Sequence, residues 1–174
     1  MGRAAFWPPS GGTAPGQRGK SWKGGRNMKI DLVDACRIEA AARVHAIAWR
    51  ASHEAFCSPA FVASHTAERQ QAYLQQKMAA GSRFYLLTLP KPAAVVSIAP
   101  GSVIEDLYVL PEEQNKGLGT QLLRFAIGQC TARPRLWVLE NNKGAQRFYQ
   151  RAGFRPTGRR RSTGRLDEVE FLLL

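Results

Sequence analysis

The chain has 174 residues, 44% of them apolar and 22% charged, a length that suits one domain with enough chain to enclose a hydrophobic core. Its 25 Lys and Arg against 13 Asp and Glu give a formal charge of +12, and its three cysteines (Cys36, Cys57, Cys130) lie far apart, which suggests neither a disulfide framework nor a zinc site. No apolar run reaches the roughly 18 residues of a membrane span, and the N-terminus lacks the apolar stretch of a secretory signal, so a cytoplasmic protein is the expectation.

The charge is unevenly spread. Residues 1–27 carry Arg3, Arg18, Lys20, Lys23 and Arg26 and no acid, +5 of the +12, which leaves +7 for residues 28–174. With seven Gly and three Pro, this stretch reads as a disordered extension, and Met28 as the start of a domain over 28–174. A second basic cluster lies at Arg155, Arg159, Arg160, Arg161 and Arg165. A basic surface concentrates anions, and charge alone does not separate nucleic acid from a nucleotide-bearing small molecule.

Residues 28–33 alternate polar and apolar, as a half-buried strand does. Val44, Ile47, Ala48 and Ala51 recur at helical spacing, predicting an amphipathic helix over 37–51. Pro59 interrupts, and a second helix is expected over 66–79, ended by Gly81. Three strands are predicted at 83–89, 93–98 and 103–109, with the Pro-rich dipeptides between them as turns. Leu118, Leu122, Leu123, Ala126 and Ile127 share a helical face within 117–130. A short apolar strand follows at 135–139, then a helix over 142–152 with Asn142 as N-cap and Gly153 as its stop. Residues 168–174 read as a closing strand. The order predicts a mixed α/β layer with the sheet between helices.

The most informative stretch runs from Val109 to Thr120. A strand enters a short loop holding Gln114, Lys116, Gly117 and Gly119, and a helix follows at once. The first N–H groups of a helix have no internal partner, and the helix dipole adds positive character there. Glycines let the backbone approach an anion, and Lys116 adds a full charge, so the loop suits a pyrophosphate. It fits neither the Walker pattern nor G-x-G-x-x-G, and an ordinary turn is the plain alternative.

The pattern Val109-x-Pro111-x-x-Gln114-x-x-Gly117-x-Gly119 resembles the acetyl-CoA signature of the GNAT (GCN5-related N-acetyltransferase) family. Downstream, Asn142-x-x-Ala145-x-x-Phe148-Tyr149-x-x-x-Gly153-Phe154 is similar to a second family motif, and Val44-His45-x-x-x-Trp49-Arg50-Ala51 to the first helix of many small members. The resemblance covers residues 28–174. It implies a GNAT fold: a mixed, mostly antiparallel sheet of six to seven strands, flanked by about four helices, in which the fourth strand splays from the fifth after a bulge. It also implies an acyltransferase that moves an acetyl group from acetyl-CoA to a primary amine, by direct attack in a ternary complex and without a metal. The family often forms homodimers.

Carried onto this chain, the resemblance gives Gln114, Asn115, Lys116, Gly117, Leu118, Gly119 and Thr120 to the pyrophosphate. Leu107, Tyr108 and Val109 would flank the pantetheine arm, with a backbone N–H near Val109 close to the thioester carbonyl. Asn142, Ala145 and Phe148 would complete the cofactor site, with helix capping as the second reading of Asn142. Tyr149 matches the general acid that protonates the departing thiolate, with a core aromatic as the alternative. Glu105 is the candidate general base, and strand alternation would set it on the face of Leu107, opposite Asp106 and Tyr108. Glu140, His45 and His53 are weaker candidates. Trp49 reads as core packing, or as a border of the acceptor site.

The third strand lacks the glycine frequent in the family, and the loop before the fourth is very short, so the acceptor stays open. Two other readings remain. One is an acyl-CoA-binding module with little or no catalysis. The other is a nucleic-acid binder, which lacks any helix-turn-helix, zinc-finger or RRM signature; a charged, solvated hairpin explains 155–165 better, and no specific nucleic-acid or membrane partner is expected.

Overall fold

A strand buried on both sides must send successive side chains to two different cores, and the central strands here do so. The computed structural model describes residues 28–164 and 166–174; the extension expected at 1–27, and Arg165 of the second basic cluster, lie outside the described residues. The elements run β1 (Lys29–Leu32), α1 (Ile38–His53), α2 (Pro59–Ala63), α3 (Ala67–Ala79), β2 (Arg83–Leu89), β3 (Lys91–Ala99) and β4 (Val103–Val109). A 3-10 turn (Pro111–Glu113) leads to α4 (Leu118–Gln129), β5 (Arg135–Leu139), α5 (Lys143–Arg151), β6 (Phe154–Ser162) and β7 (Asp167–Leu173).

On β2, Phe84 and Leu86 enter a core with Val95 of β3, with Ile38, Ala41, Ala42 and Val44 of α1, and with Leu74 of α3. Tyr85 and Leu87 face the other way, joining Ala94, Val96 and Ile98 of β3 and Leu118, Leu122, Leu123 and Ala126 of α4. The sheet is thus a middle layer, with α1 and α3 on one side and α4 and α5 on the other. Its strand order is β1-β2-β3-β4-β5-β7-β6. All neighbours are antiparallel except β4 and β5, which start parallel with Val103 opposite Arg135.

The helix boundaries have local causes. Thr66 Oγ1 accepts the Arg69 N–H at 3.3 Å to open α3, and Gly81, at φ +93°, turns the chain out of it. Asn142 Oδ1 accepts the Ala145 N–H at 2.9 Å to open α5. Pro59, read as an interruption, is the first residue of α2, where its missing N–H costs nothing; Ser58 caps that helix. Ile47, placed by spacing on the apolar face of α1, is 43% exposed, and His45 is buried in its stead.

Two strands follow α5 where the pattern shows one. Apart from Phe154, β6 is exposed throughout, so it has no apolar alternation to read; it is held by pairing to β7 with an irregularity between Pro156 and Arg160. Three of its four arginines are matched with acids: Arg159 with Glu170 at 3.6 Å, Arg160 with Glu140 at 2.6 Å and Arg161 with Glu168 at 2.6 Å. The arginine ends are exposed, so each pair contributes little to stability, yet together they offset three of the charges of the run.

Because α4 must sit firmly on the sheet for its N-terminus to be fixed, the fully buried Leu122 is a sensitive point. Leu122→Ala should lower unfolding free energy by about 2–5 kcal/mol in urea denaturation, while Ile47→Ala should change it by no more than about 0.5 kcal/mol.

Candidate active site

The site begins with one extra residue in β4. Tyr108 pairs with Val95 and Glu105 with Ser97, so Val96 alone faces both Asp106 and Leu107. This is a β-bulge, and Asp106 carries the required turn at φ +47°, a conformation that aspartate tolerates better than most residues.

The bulge changes which side chains share a face. Glu105 was expected beside Leu107. Instead Glu105 turns to the α1/α3 side, where its Oε2 lies 2.6 Å from Lys77 Nζ, and Leu107 packs on the α4/α5 core. Asp106 points to the same side as Glu105. There its carboxylate accepts from Ser97 Oγ at 2.8 Å, from Tyr73 OH at 3.1 Å and from His45 Nε2 at 3.2 Å. Burial works against the Asp106 carboxylate, but these donors outweigh it and hold its carboxyl below the usual range. Burial first, and then this negative charge, raise the phenols of Tyr73, Tyr108 and Tyr149.

Beyond Val103 the register of β4 with β5 stops. The strands part and leave a cleft of about 660 Å³ between them. Leu110 N–H donates to Ala93 O on β3, so its neighbour Val109 turns its own N–H and C=O toward the opened edge. Gln114 Nε2 donates to that Val109 carbonyl at 3.1 Å.

The start of α4 forms one end of the cleft. Asn115 (φ +59°) and Gly117 (φ +81°) are left-handed, and Gly117 is the helix N-cap. The first intrahelical bond runs from Gln121 N–H to Gly117 O at 3.1 Å, so the N–H groups before it have no carbonyl a turn earlier. Gln114, Asn115, Gly117, Gly119 and Thr120 line the cleft. A Cβ on Gly119 would stand 3.6 Å from Phe148 and 3.7 Å from Val109, both cleft residues, so the bare glycine leaves this corner open. Lys116 and Leu118 do not line it. Lys116 pairs with Glu113 at 3.1 Å and Leu118 is buried in the core, so only their backbones are available there.

The opposite wall comes from β5 and α5. Asn142, Ala145, Phe148 and Tyr149 line it, as do Glu105, Leu107, Tyr108 and Val109 from β4. Capping occupies Asn142 Oδ1 and leaves its amide N–H groups, so its two readings are compatible. Tyr149 packs edge-on against Phe148 and Phe154, and its hydroxyl has no hydrogen-bond partner among the described residues. A phenol held in this way stays protonated at neutral pH.

One further part escapes a reading of the sequence by motif, and one of the weaker base candidates gains a definite place. Asp106 anchors the bulge. His53, at the end of α1, lines the cleft, stacks on Trp49 with ring centroids 4.0 Å apart, and turns Nδ1 back to Trp49 O at 2.9 Å. The signal was a line of residues four apart, His45, Trp49 and His53, on one face of α1. Glu140, the other weaker base candidate, is paired with Arg160 and is not among the lining residues.

Against this geometry, the family can be stated. A model of the Acetyltransferase (GNAT) family matches residues 43–154, and the chain belongs to that family. An acetyltransferase of Thermus thermophilus is 26% identical, with a TM-score of 0.61 over 82% of this chain and 95% of that one. The PaiA N-acetyltransferase of Thermoplasma acidophilum, solved with coenzyme A, is 17% identical with a TM-score of 0.64, over 83% of this chain and 98% of its own. The yncA protein of Salmonella typhimurium, solved with acetyl-CoA, is 19% identical with a TM-score of 0.63, over 84% and 93%. An uncharacterised N-acetyltransferase of Methanocaldococcus jannaschii is 42% identical over 55 residues, which are 29% of this chain and 24% of that protein; the match spans about a quarter of that relative's length. No helix among the described residues is long and apolar enough to cross a membrane.

The bulge yields a pH test. The Asp106 carboxyl is depressed in the fold, so its stabilisation is complete above the unfolded carboxylate range and is lost as pH falls through its lower folded value. Asp106→Asn should cost on the order of 3 kcal/mol at neutral pH in urea denaturation. The gap between wild type and variant should narrow steadily as the medium is acidified past the ordinary carboxylate range.

Proposed function

We propose that this chain transfers an acetyl group from acetyl-CoA to a primary amine by direct attack within a ternary complex. The observation that carries the reading is the parting of β4 from β5 after a single residue pair, which opens a cleft between the start of α4 and the Tyr149 hydroxyl. The T. acidophilum and S. typhimurium relatives, solved with coenzyme A and acetyl-CoA, lend this reading their ligands.

The residues fit such a ligand. The N–H groups from Asn115 to Thr120 meet the diphosphate at the positive end of α4, and Gln114 steadies the entering strand through Val109 O. Leu107, Tyr108 and Val109 offer a free strand edge to the amide groups of the pantetheine arm, while Asn142, Ala145 and Phe148 form the facing wall. The Val109 N–H, turned to that edge, stabilises the oxyanion as the amine attacks the thioester. Tyr149, kept protonated by burial and by Asp106, gives its proton to the departing thiolate. A base facing the cleft accepts the proton of the amine; Glu105 is the carboxylate that the family resemblance offers for that role. No group of metal-ligating side chains occurs among the described residues, and the scheme routes no step through a metal.

One observation favours the second reading, an acyl-CoA-binding fold with little turnover. Glu105 is already the counter-ion of Lys77, whose Nζ lies 2.6 Å from its Oε2. The nature of the amine is not fixed by the cleft, whose walls mix Glu105, Glu168 and Arg151.

Gly119→Glu places a carboxylate in the anion cradle and should weaken acetyl-CoA binding at least about a hundredfold by calorimetry; undiminished affinity would contradict the site. Tyr149→Phe should lower kcat by about tenfold to a hundredfold and leave acetyl-CoA affinity within twofold. A variant that loses the fold instead would mark Tyr149 as a core aromatic alone.

A further inference from the structure

We infer that His53 Nε2 is the general base that takes the proton from the acceptor amine. The inference rests on the transferase reading above and deepens it. Three facts about α1 point there. First, His53 Nδ1 lies 2.9 Å from Trp49 O. A carbonyl only accepts, so Nδ1 carries the hydrogen and the lone pair of the neutral ring is on Nε2. Ser52 Oγ donates to the same carbonyl at 2.9 Å and lies 2.7 Å from Nδ1, so it stands ready as a second acceptor for that hydrogen. Second, the ring cannot turn freely: it is stacked on Trp49 at 9° between planes, and Trp49 is itself stacked on His65 at 3.5 Å. Third, His53 lines the cleft that Tyr149 lines from the other side, and with Nδ1 turned back to its own helix, Nε2 is on the edge of the ring that faces away.

Its surroundings favour the neutral form. Burial comes first in lowering its pKa, followed by the positive potential of His65 and His45; its contact with Trp49 O opposes them in part. Tyr108, Asp106 and Glu105 of β4 line the same cleft, with the Tyr108 ring centroid 6.4 Å from that of His53. Glu168 of β7 and Tyr149 and Arg151 of α5 complete the charged and titratable groups there. Asp106 is held by three donors and Glu105 by Lys77, whereas no partner of His53 Nε2 occurs among the described residues. Of the bases that face the cleft, this nitrogen has a fixed lone pair and no counter-ion.

The step balances without a further reactant. The amine nitrogen forms a bond to the thioester carbonyl carbon and yields its proton to His53 Nε2. The carbon–sulfur bond breaks with its electron pair on sulfur, which takes the Tyr149 proton. Solvent returns the proton of the imidazolium to the phenolate, leaving amide, free thiol and the starting enzyme.

The test uses the full chain, acetyl-CoA and a panel of primary amines, with thiol release as the signal. Wild-type kcat should fall on acidification within the window between about pH 5 and 7, where an imidazole titrates. His53→Asn keeps a donor near the Nδ1 position but has no Nε2; it should lower kcat by about a hundredfold, abolish that acid limb and leave acetyl-CoA affinity within twofold. His53→Ala should regain at least tenfold of the lost rate with added imidazole, which a purely structural role would not allow. A wild-type profile that is flat through the window, or an Asn variant that keeps its rate and its limb, overturns the assignment while leaving acetyl transfer intact. A wild type that binds acetyl-CoA and acylates no amine overturns the transferase reading, and this inference with it.

Discussion

The arrangement depends on the carboxylate of Asp106. It sits 11% exposed among the donors Ser97, Tyr73 and His45, which come from β3, α3 and α1. That convergence holds Asp106 in the left-handed conformation and thereby fixes an extra residue in β4. A bulge bends its strand and sharpens its twist. β4 pairs with β5 only at Val103, and from there through the bulge to Val109 the two have no register. A buried network thus opens the sheet in one place, and the strand edge it exposes is the one a bound thioester would need.

The same network shapes the electrostatics. The chain is strongly basic, but its charge is not free for general anion capture along β6, where Arg159, Arg160 and Arg161 each meet a glutamate. Arg161 also lies over the Trp137 ring at 4.5 Å, tying the edge hairpin to the wall of the cleft. Inside the cleft, burial first and then the Asp106 charge disfavour the phenolate and keep the Tyr149 hydroxyl protonated. On the proposed scheme, donor and base come from different elements: the phenol from α5 and the imidazole from α1, both lining the cleft at the opened edge of β4.

Much of this was legible from residue order. The strands at 83–89, 103–109 and 135–139 coincide with β2, β4 and β5, because their apolar patterns are strong and their flanks carry Gly and Pro. Asn142 caps α5 and Gly153 ends it, as their residue types required. The exposed strand β6 and the short helix α2 were not legible, since neither buries a repeating apolar face. The bulge was implied by the family resemblance, but its position was not legible: it shifts register by one residue and has no side-chain signature beyond an aspartate that tolerates positive φ. That shift is why simple alternation sets Glu105 beside Leu107, whereas the fold turns it toward Lys77 on α3. A histidine's tautomer depends on what its ring touches, and spacing along a helix does not show that.

The most direct measurement is a crystal structure of the complex with acetyl-CoA. The account predicts the diphosphate against the backbone N–H groups of Asn115–Thr120, the pantetheine arm along the free edge of β4, and the thioester carbonyl within hydrogen-bond distance of Val109 N–H. An empty gap, or β4 and β5 zipped together beyond Val103 in the presence of saturating ligand, would contradict it.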